Sequence, residues 1–246
     1  MAGNSKNIIK HWLKKCVFII IIFICLNIII YFVQLYKIKK YPVKVIKRKY
    51  TQDFFVNRHK DYNEMLLLER FKFAQQILAE EMNNLNLENY VNIVVDDSIE
   101  KEDLDITAEY NAETNTIVVM KTTLEDCDYD EFVNTVLHEV FHVYQKYLCE
   151  KYNEVITRKE LSDSEIYMID VLNNESEGIY IDELNKLLEK TKDLYQVQYY
   201  NSLTEWSARN YADTRLKFYL EESDSQSQVI PDIIVTKWLN SIPHLY

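Results

Sequence analysis

Glycine is nearly missing from this chain of 246 residues. It occurs twice, at Gly3 and Gly178, and proline three times, at Pro42, Pro231 and Pro243. Turn-rich β folds depend on these two residues, so sandwiches and barrels are excluded. Two distant glycines cannot build GxGxxG or GxxxxGK[ST], which removes the loops that cradle phosphates. Four cysteines in a chain this long do not make a disulfide scaffold. Acid is also missing from one place. The first 50 residues hold 11 Lys and Arg and no Asp or Glu, leaving 17 Lys and Arg against 39 acids, a net −22, on the other 196. A domain this acidic repels nucleic acid, because phosphate contacts need clustered cations.

What is present begins with an apolar run at residues 16–33, CVFIIIIFICLNIIIYFV, in which Asn27 is the only strongly polar member. At about 1.5 Å per residue, these 18 residues cover most of a hydrocarbon core of about 30 Å. Tyr31 and Tyr36 suit the interface, and Lys14, Lys15, Lys37, Lys39 and Lys40 can snorkel. No small-x-small cleavage site follows, and Ile22, Phe23 and Ile24 are too bulky for lipoprotein processing at Cys25. The expectation is a retained single-pass anchor within residues 1–36. Four cations precede the run (Lys6, Lys10, Lys14, Lys15) and seven follow it (Lys37, Lys39, Lys40, Lys44, Lys47, Arg48, Lys49). That excess tips the remainder of the chain weakly toward the cytoplasmic side, where Cys127 and Cys149 would stay reduced.

Residues 37–60 read as a basic linker, extended around Pro42, Val43, Val45 and Ile46. From residue 61 to about 85 the apolar positions Met65, Leu66, Leu68, Phe71, Phe73, Ile77 and Leu78 fall near helical spacing. Short strands are expected at 90–95, 106–110 and 116–120, the last two forming a hairpin around 111–115. Asp128 with Glu131 resembles a capping box and opens a helix through about residue 150. Further helices are expected at 163–173, 179–191, 195–220 and 231–239, with a polar loop at 221–228. The fold class is α+β and mostly helical: a transmembrane helix, then a domain at 61–246 with a small sheet and a helical C-terminal part.

Residues 136–145 read VLHEVFHVYQ. His138 and His142, four apart on a helix, project from one face. Two imidazole nitrogens at that spacing can hold one Zn²⁺. Glu139 lies about 100° around the helix, placed to reach a water beside the metal without being a ligand. Val136, Leu137, Val140, Phe141 and Val143 are apolar and would bury the helix and dry the site. A catalytic zinc takes a third protein ligand. The other histidines, His11, His59 and His244, do not follow at HExxHxxGxxH spacing, so a carboxylate on a later helix is the expected donor. The best placed is Glu205 in TEWSARNYA, with small Ala208 one turn on to let two helices approach. The alternatives are Glu177 and Glu175 in NNESEGIY. A helical Glu is most often merely solvated, and only zinc's need for a third donor argues otherwise.

HExxH on one helix, followed by Glu in an ExxAxxYA setting on a later one, resembles the gluzincin branch of the zincin metallopeptidases. The small bacterial HExxH…E proteins and the ImmA/IrrE-type peptidase domains are the nearest kinds. The resemblance covers about residues 90–215. It implies a strand-rich lobe before the active helix, Zn²⁺ on His138, His142 and Glu205, Glu139 as general base, and a peptide or protein substrate. Two departures stand out. The 62 residues from His142 to Glu205 exceed the gap in many compact gluzincins. Arg209 stands where many carry an acid that holds a histidine, a task for which Asp213 or Asp170 is the available substitute. Tyr199, Tyr200 and Tyr211 are possible donors to an oxyanion, and 107–109 is a possible edge strand for an extended peptide. The alternative reading is a non-catalytic, membrane-anchored binding module of the same kind.

The anchor expectation is checked by alkaline carbonate extraction. Full-length protein should remain in the membrane pellet with its N-terminal peptide intact; a mature form lacking residues 1–35 would make the run a cleaved signal instead.

Overall fold

The computed structural model of the protein describes residues 2–88, 90–97, 107–153 and 203–220. The chain falls into two compact units, Met1–Tyr41 and Pro42–Tyr246. The first is a single helix, α1 (Ala2–Lys40). Its segment Lys14–Lys40 is 27 residues long, with no buried side chain in its apolar window, and is long and apolar enough to cross a membrane. The strongly polar member of its apolar run at 16–33 is satisfied within the helix: Asn27 Nδ2 donates to the Phe23 carbonyl one turn back at 2.7 Å. That bond removes much of the cost of placing an amide in hydrocarbon. Lys15 lies over the Trp12 ring near one end, and Lys40 over Tyr36 near the other. Such amphipathic pairs suit two interfaces.

The second unit is α+β, mostly helical, with a small mixed sheet. Its elements are β1 (Val43–Val45), α2 (Gln52–Asp61), a 3₁₀ turn (Tyr62–Glu64), α3 (Leu67–Asn84), β2 (Val91–Asp96), β3 (Ala108–Asn111), β4 (Thr116–Met120), α4 (Lys121–Asp126), α5 (Tyr129–Asn153) and α6 (Leu203–Tyr219). The sheet order is β1-β2-β4-β3. β1 is antiparallel to β2, β2 parallel to β4, and β4 antiparallel to β3. The register places Ile93 beside Ile117 and Val95 beside Val119. All four are buried, whereas Asn92 and Val94 are half-exposed, so one face carries the core. α3 meets this sheet at β1, and α5 meets it at β3.

Scarce glycine has a visible consequence. The two positive-φ non-glycine residues among those described are both asparagine, Asn86 (φ 51°) and Asn115 (φ 50°). Asn tolerates the left-handed region better than other side chains do. At Asn86 it closes α3: Leu87 N–H reaches back to the Met82 carbonyl at 2.9 Å. At Asn115 it turns the β3–β4 hairpin, where Asn111 Oδ1 accepts from Thr114 N–H at 3.0 Å.

The β3–β4 hairpin lies where the alternating pattern puts it, and α5 starts as expected, with Asp128 Oδ1 accepting from Glu131 N–H at 2.9 Å. Three features differ. The segment expected to be linker contains β1 and α2, because Thr51 caps α2 through Phe54 N–H and Phe55 is fully buried. The helix expected from about 61 to 85 is broken by the 3₁₀ turn, which buries Tyr62 against Phe73, Tyr129 and Phe132. α4 is an addition, and Arg70 Nη1 of α3 donates to its Leu124 carbonyl at 3.0 Å. The helices expected at 163–173, 179–191 and 231–239, the start of the one at 195–220, and the loop at 221–228 lie outside the described residues.

α6 is held by a buried charge network. Glu81 of α3 is fully buried. Its carboxylate accepts from Arg215 Nε at 2.9 Å, from Tyr219 OH at 2.7 Å and from Tyr211 OH. Asn84 Nδ2 donates to the same Tyr211 oxygen at 3.1 Å. Neighbouring Glu80 accepts from Tyr50 N–H at 2.6 Å and lies 3.7 Å from Arg215 Nη2. Tyr211, Arg215 and Tyr219 are four apart and share one stripe of α6. Removing one partner from such a set strands a buried charge, which costs about 3–5 kcal/mol.

Arg215→Leu should therefore lower unfolding stability by about 3–5 kcal/mol in denaturant titration of the full chain in detergent. Glu81→Leu combined with Arg215→Leu should cost less than Arg215→Leu alone. A double variant worse than the single would show that the pair is not electrostatically coupled.

Candidate metal centre

α5 and α6 run antiparallel and face each other. Asn134 Nδ2 donates to Asp213 Oδ1 at 2.9 Å, the Phe141 and Tyr211 rings stack at 4.7 Å, and Gln145 contacts Thr204 and Ser207. Ala208 and Ala212 are fully buried on the side of α6 that also carries Glu205. Small side chains there let the two helices approach.

This packing brings three donors together. His138 Nε2 and His142 Nε2 are 3.0 Å apart. Glu205 Oε2 lies 3.2 Å from His138 Nε2, and Oε1 lies 3.5 Å from His142 Nε2. Two imidazole lone pairs face each other at 3.0 Å only with a proton or a cation between them. For bonds of about 2.0–2.1 Å in a tetrahedral shell, donor atoms sit about 3.3 Å apart. The His–His separation and the two Glu205 distances, which are to different carboxylate oxygens, all lie near that value, so these residues are compatible with a small cation such as Zn²⁺. Burial above all, and then His138, hold the His142 pKa below its ordinary range, which favours the neutral imidazole a metal needs.

Glu139 shares the cluster with His138 and His142. It is buried, and burial chiefly pushes its pKa up to about 7. Glu205 and Glu109 add to that rise, while His138 and the Tyr110 backbone N–H oppose it. The Tyr110 N–H donates to the Glu139 carboxylate, joining α5 to β3.

His142 Nδ1 lies 2.8 Å from Gln145 Oε1, and Gln145 Nε2 donates to the Thr204 carbonyl at 2.9 Å and to Ser207 Oγ at 2.8 Å. Sequence reasoning gave Gln145 no role. Its three-residue spacing from His142 was the available signal, but a Gln in the second half of a helix reads as surface. Asp213, considered as a histidine holder, is instead engaged by Asn134. Tyr211 is no oxyanion donor, because its hydroxyl is fully buried on Glu81. His138, Glu139, His142 and Glu205 come together in space. Glu175, Glu177, Asp170, Tyr199, Tyr200 and His244 lie outside the described residues. His59, exposed on α2, stacks on the buried Tyr129 ring. All four cysteines are free.

No protein-family model matches the chain, and neither the curated proteins nor the solved structures give a match.

Proposed function

We propose that the protein is a zinc-dependent metallopeptidase of zincin-like fold, anchored to a membrane by α1. The observation that carries this reading is the set of three donors, two Nε2 atoms and one carboxylate, spaced 3.0 to 3.5 Å apart with Glu139 beside them. His138, His142 and Glu205 would hold the zinc. Bound there, it supplies Lewis-acid polarisation of a carbonyl and a water at neutral pH.

The chain's own residues do the rest. Glu139 accepts a proton from the attacking water as its oxygen bonds to the carbonyl carbon, then delivers that proton to the amine as the C–N bond breaks. Tyr110 N–H keeps one Glu139 oxygen oriented. The apolar positions Val136, Leu137, Val140 and Phe141 are buried around the site and exclude bulk water. β3 pairs only with β4 among the described residues, leaving an edge beside α5 that can take an extended peptide. The acidic domain disfavours nucleic acid as a substrate.

Full-length protein in detergent should carry about one zinc per chain by elemental analysis. His138→Ala and His142→Ala should lose it, and Glu205→Ala should weaken binding by orders of magnitude. Zinc at wild-type level in Glu205→Ala would remove Glu205 from the donor set.

Glu139→Gln should retain zinc and fold yet stop peptide hydrolysis, since the amide cannot accept the proton. Undiminished turnover in that variant excludes Glu139 as the base. Zinc binding with no cleavage of a broad peptide library by wild type would favour the non-catalytic module.

A further inference from the structure

We infer that Gln145 is a positioning residue through which a backbone carbonyl of α6 dictates which nitrogen of His142 carries the proton. The inference deepens the metal reading above and rests on it for its consequence, although the proton position itself is a property of the chain alone.

The hydrogen bonds form one directed chain. The Thr204 carbonyl oxygen can only accept. Gln145 must therefore turn its NH₂ toward Thr204, at 2.9 Å, and that group also reaches Ser207 Oγ at 2.8 Å. The flipped amide would set two oxygens against each other at the Thr204 contact. With its NH₂ committed, Gln145 presents Oε1 to His142 Nδ1 at 2.8 Å, and an oxygen acceptor requires Nδ1 to carry the hydrogen. His142 then has its lone pair on Nε2, the atom that faces His138 and Glu205. Ser207 cannot replace Thr204 in this logic, because a hydroxyl both donates and accepts. Its own hydrogen goes to Thr204 O at 3.2 Å.

Gln145 is 4 % exposed and Ser207 0 %, so water does not compete for these groups. Gln145 offers an acceptor, a donor and the length to span from α5 to α6. Thr204 is also the residue before Glu205. The same turn of α6 thus brings the carboxylate donor and fixes the tautomer of a donor on the facing helix. Docking of α6 supplies both at once, and a separated α6 supplies neither.

The test reads the tautomer directly. Full chain with ¹⁵N-histidine, in detergent micelles and stripped of zinc by chelation, is examined by long-range ¹H–¹⁵N correlation. Wild type should show His142 as the Nδ1–H form. Gln145→Leu should move it toward the Nε2–H form and weaken zinc binding about 10- to 100-fold. Gln145→Glu loses the donor to Thr204 and so costs stability, but it keeps an acceptor for Nδ1–H and should preserve the wild-type tautomer even where Gln145→Leu does not fold. Ser207→Ala leaves the Thr204 carbonyl in place and should also preserve it. Persistence of the Nδ1–H form in a folded Gln145→Leu would overturn the role of Gln145. A changed tautomer in Ser207→Ala would overturn the role of Thr204. Both are read without metal, so they stand apart from whether the chain binds zinc.

Discussion

The buried carboxylate of Glu81 governs where α6 can lie. A charge sealed from water must be matched inside the protein, and the main matching groups come from one stripe of α6, with Arg215 opposing the charge and Tyr211 and Tyr219 donating to the carboxylate. Hydrophobic contact alone would let a helix slide or rotate at small cost. A buried ion pair with three donors permits one register. That register sets Glu205 opposite His138 and His142, about one and a half to four turns from the clamp along the same rod. The clamp and the donor set are two ends of one mechanical element.

The site uses different physics at each end. Around Glu81 the aim is satisfaction, with each oxygen of the carboxylate engaged. Around His138 and His142 two lone-pair-bearing nitrogens and a carboxylate converge, an arrangement that repels itself without a proton or a metal. The carboxylate of the scaffold is matched by fixed donors, whereas the centre gathers groups whose pairing depends on where their protons sit.

Legibility in the sequence followed range. His138, Glu139 and His142 could be read because four-residue helical spacing is local and puts both imidazoles on one face. The β3–β4 hairpin could be read because its turn lies between two alternating runs. That Glu205 faces the two histidines was reachable by asking what a zinc there would still lack and by the small Ala208 one turn on. The parallel pairing of β2 with β4 and the addition of β1 could not be read, since nothing in three residues of VKV states its partner. Glu81 and Arg215 lie 134 residues apart, and each looks like an ordinary solvated charge on an amphipathic helix. Gln145 was invisible for a related reason. Its value comes from a carbonyl on another helix, and backbone atoms leave no letter in the sequence.

Ala208 and Ala212 bear on how this protein can change over time. Both are fully sealed on the side of α6 that carries Glu205. A larger side chain there cannot rotate into solvent; it must lever the helix outward. Donor atoms now separated by 3.0 to 3.5 Å would then part by a fraction of an ångström or more, while the core elsewhere absorbed the strain. Drift toward bulk at these two positions would therefore pull the donor set apart before it unfolded the domain. A lineage of such chains could lose this arrangement while keeping its shape, with no histidine or glutamate ever exchanged.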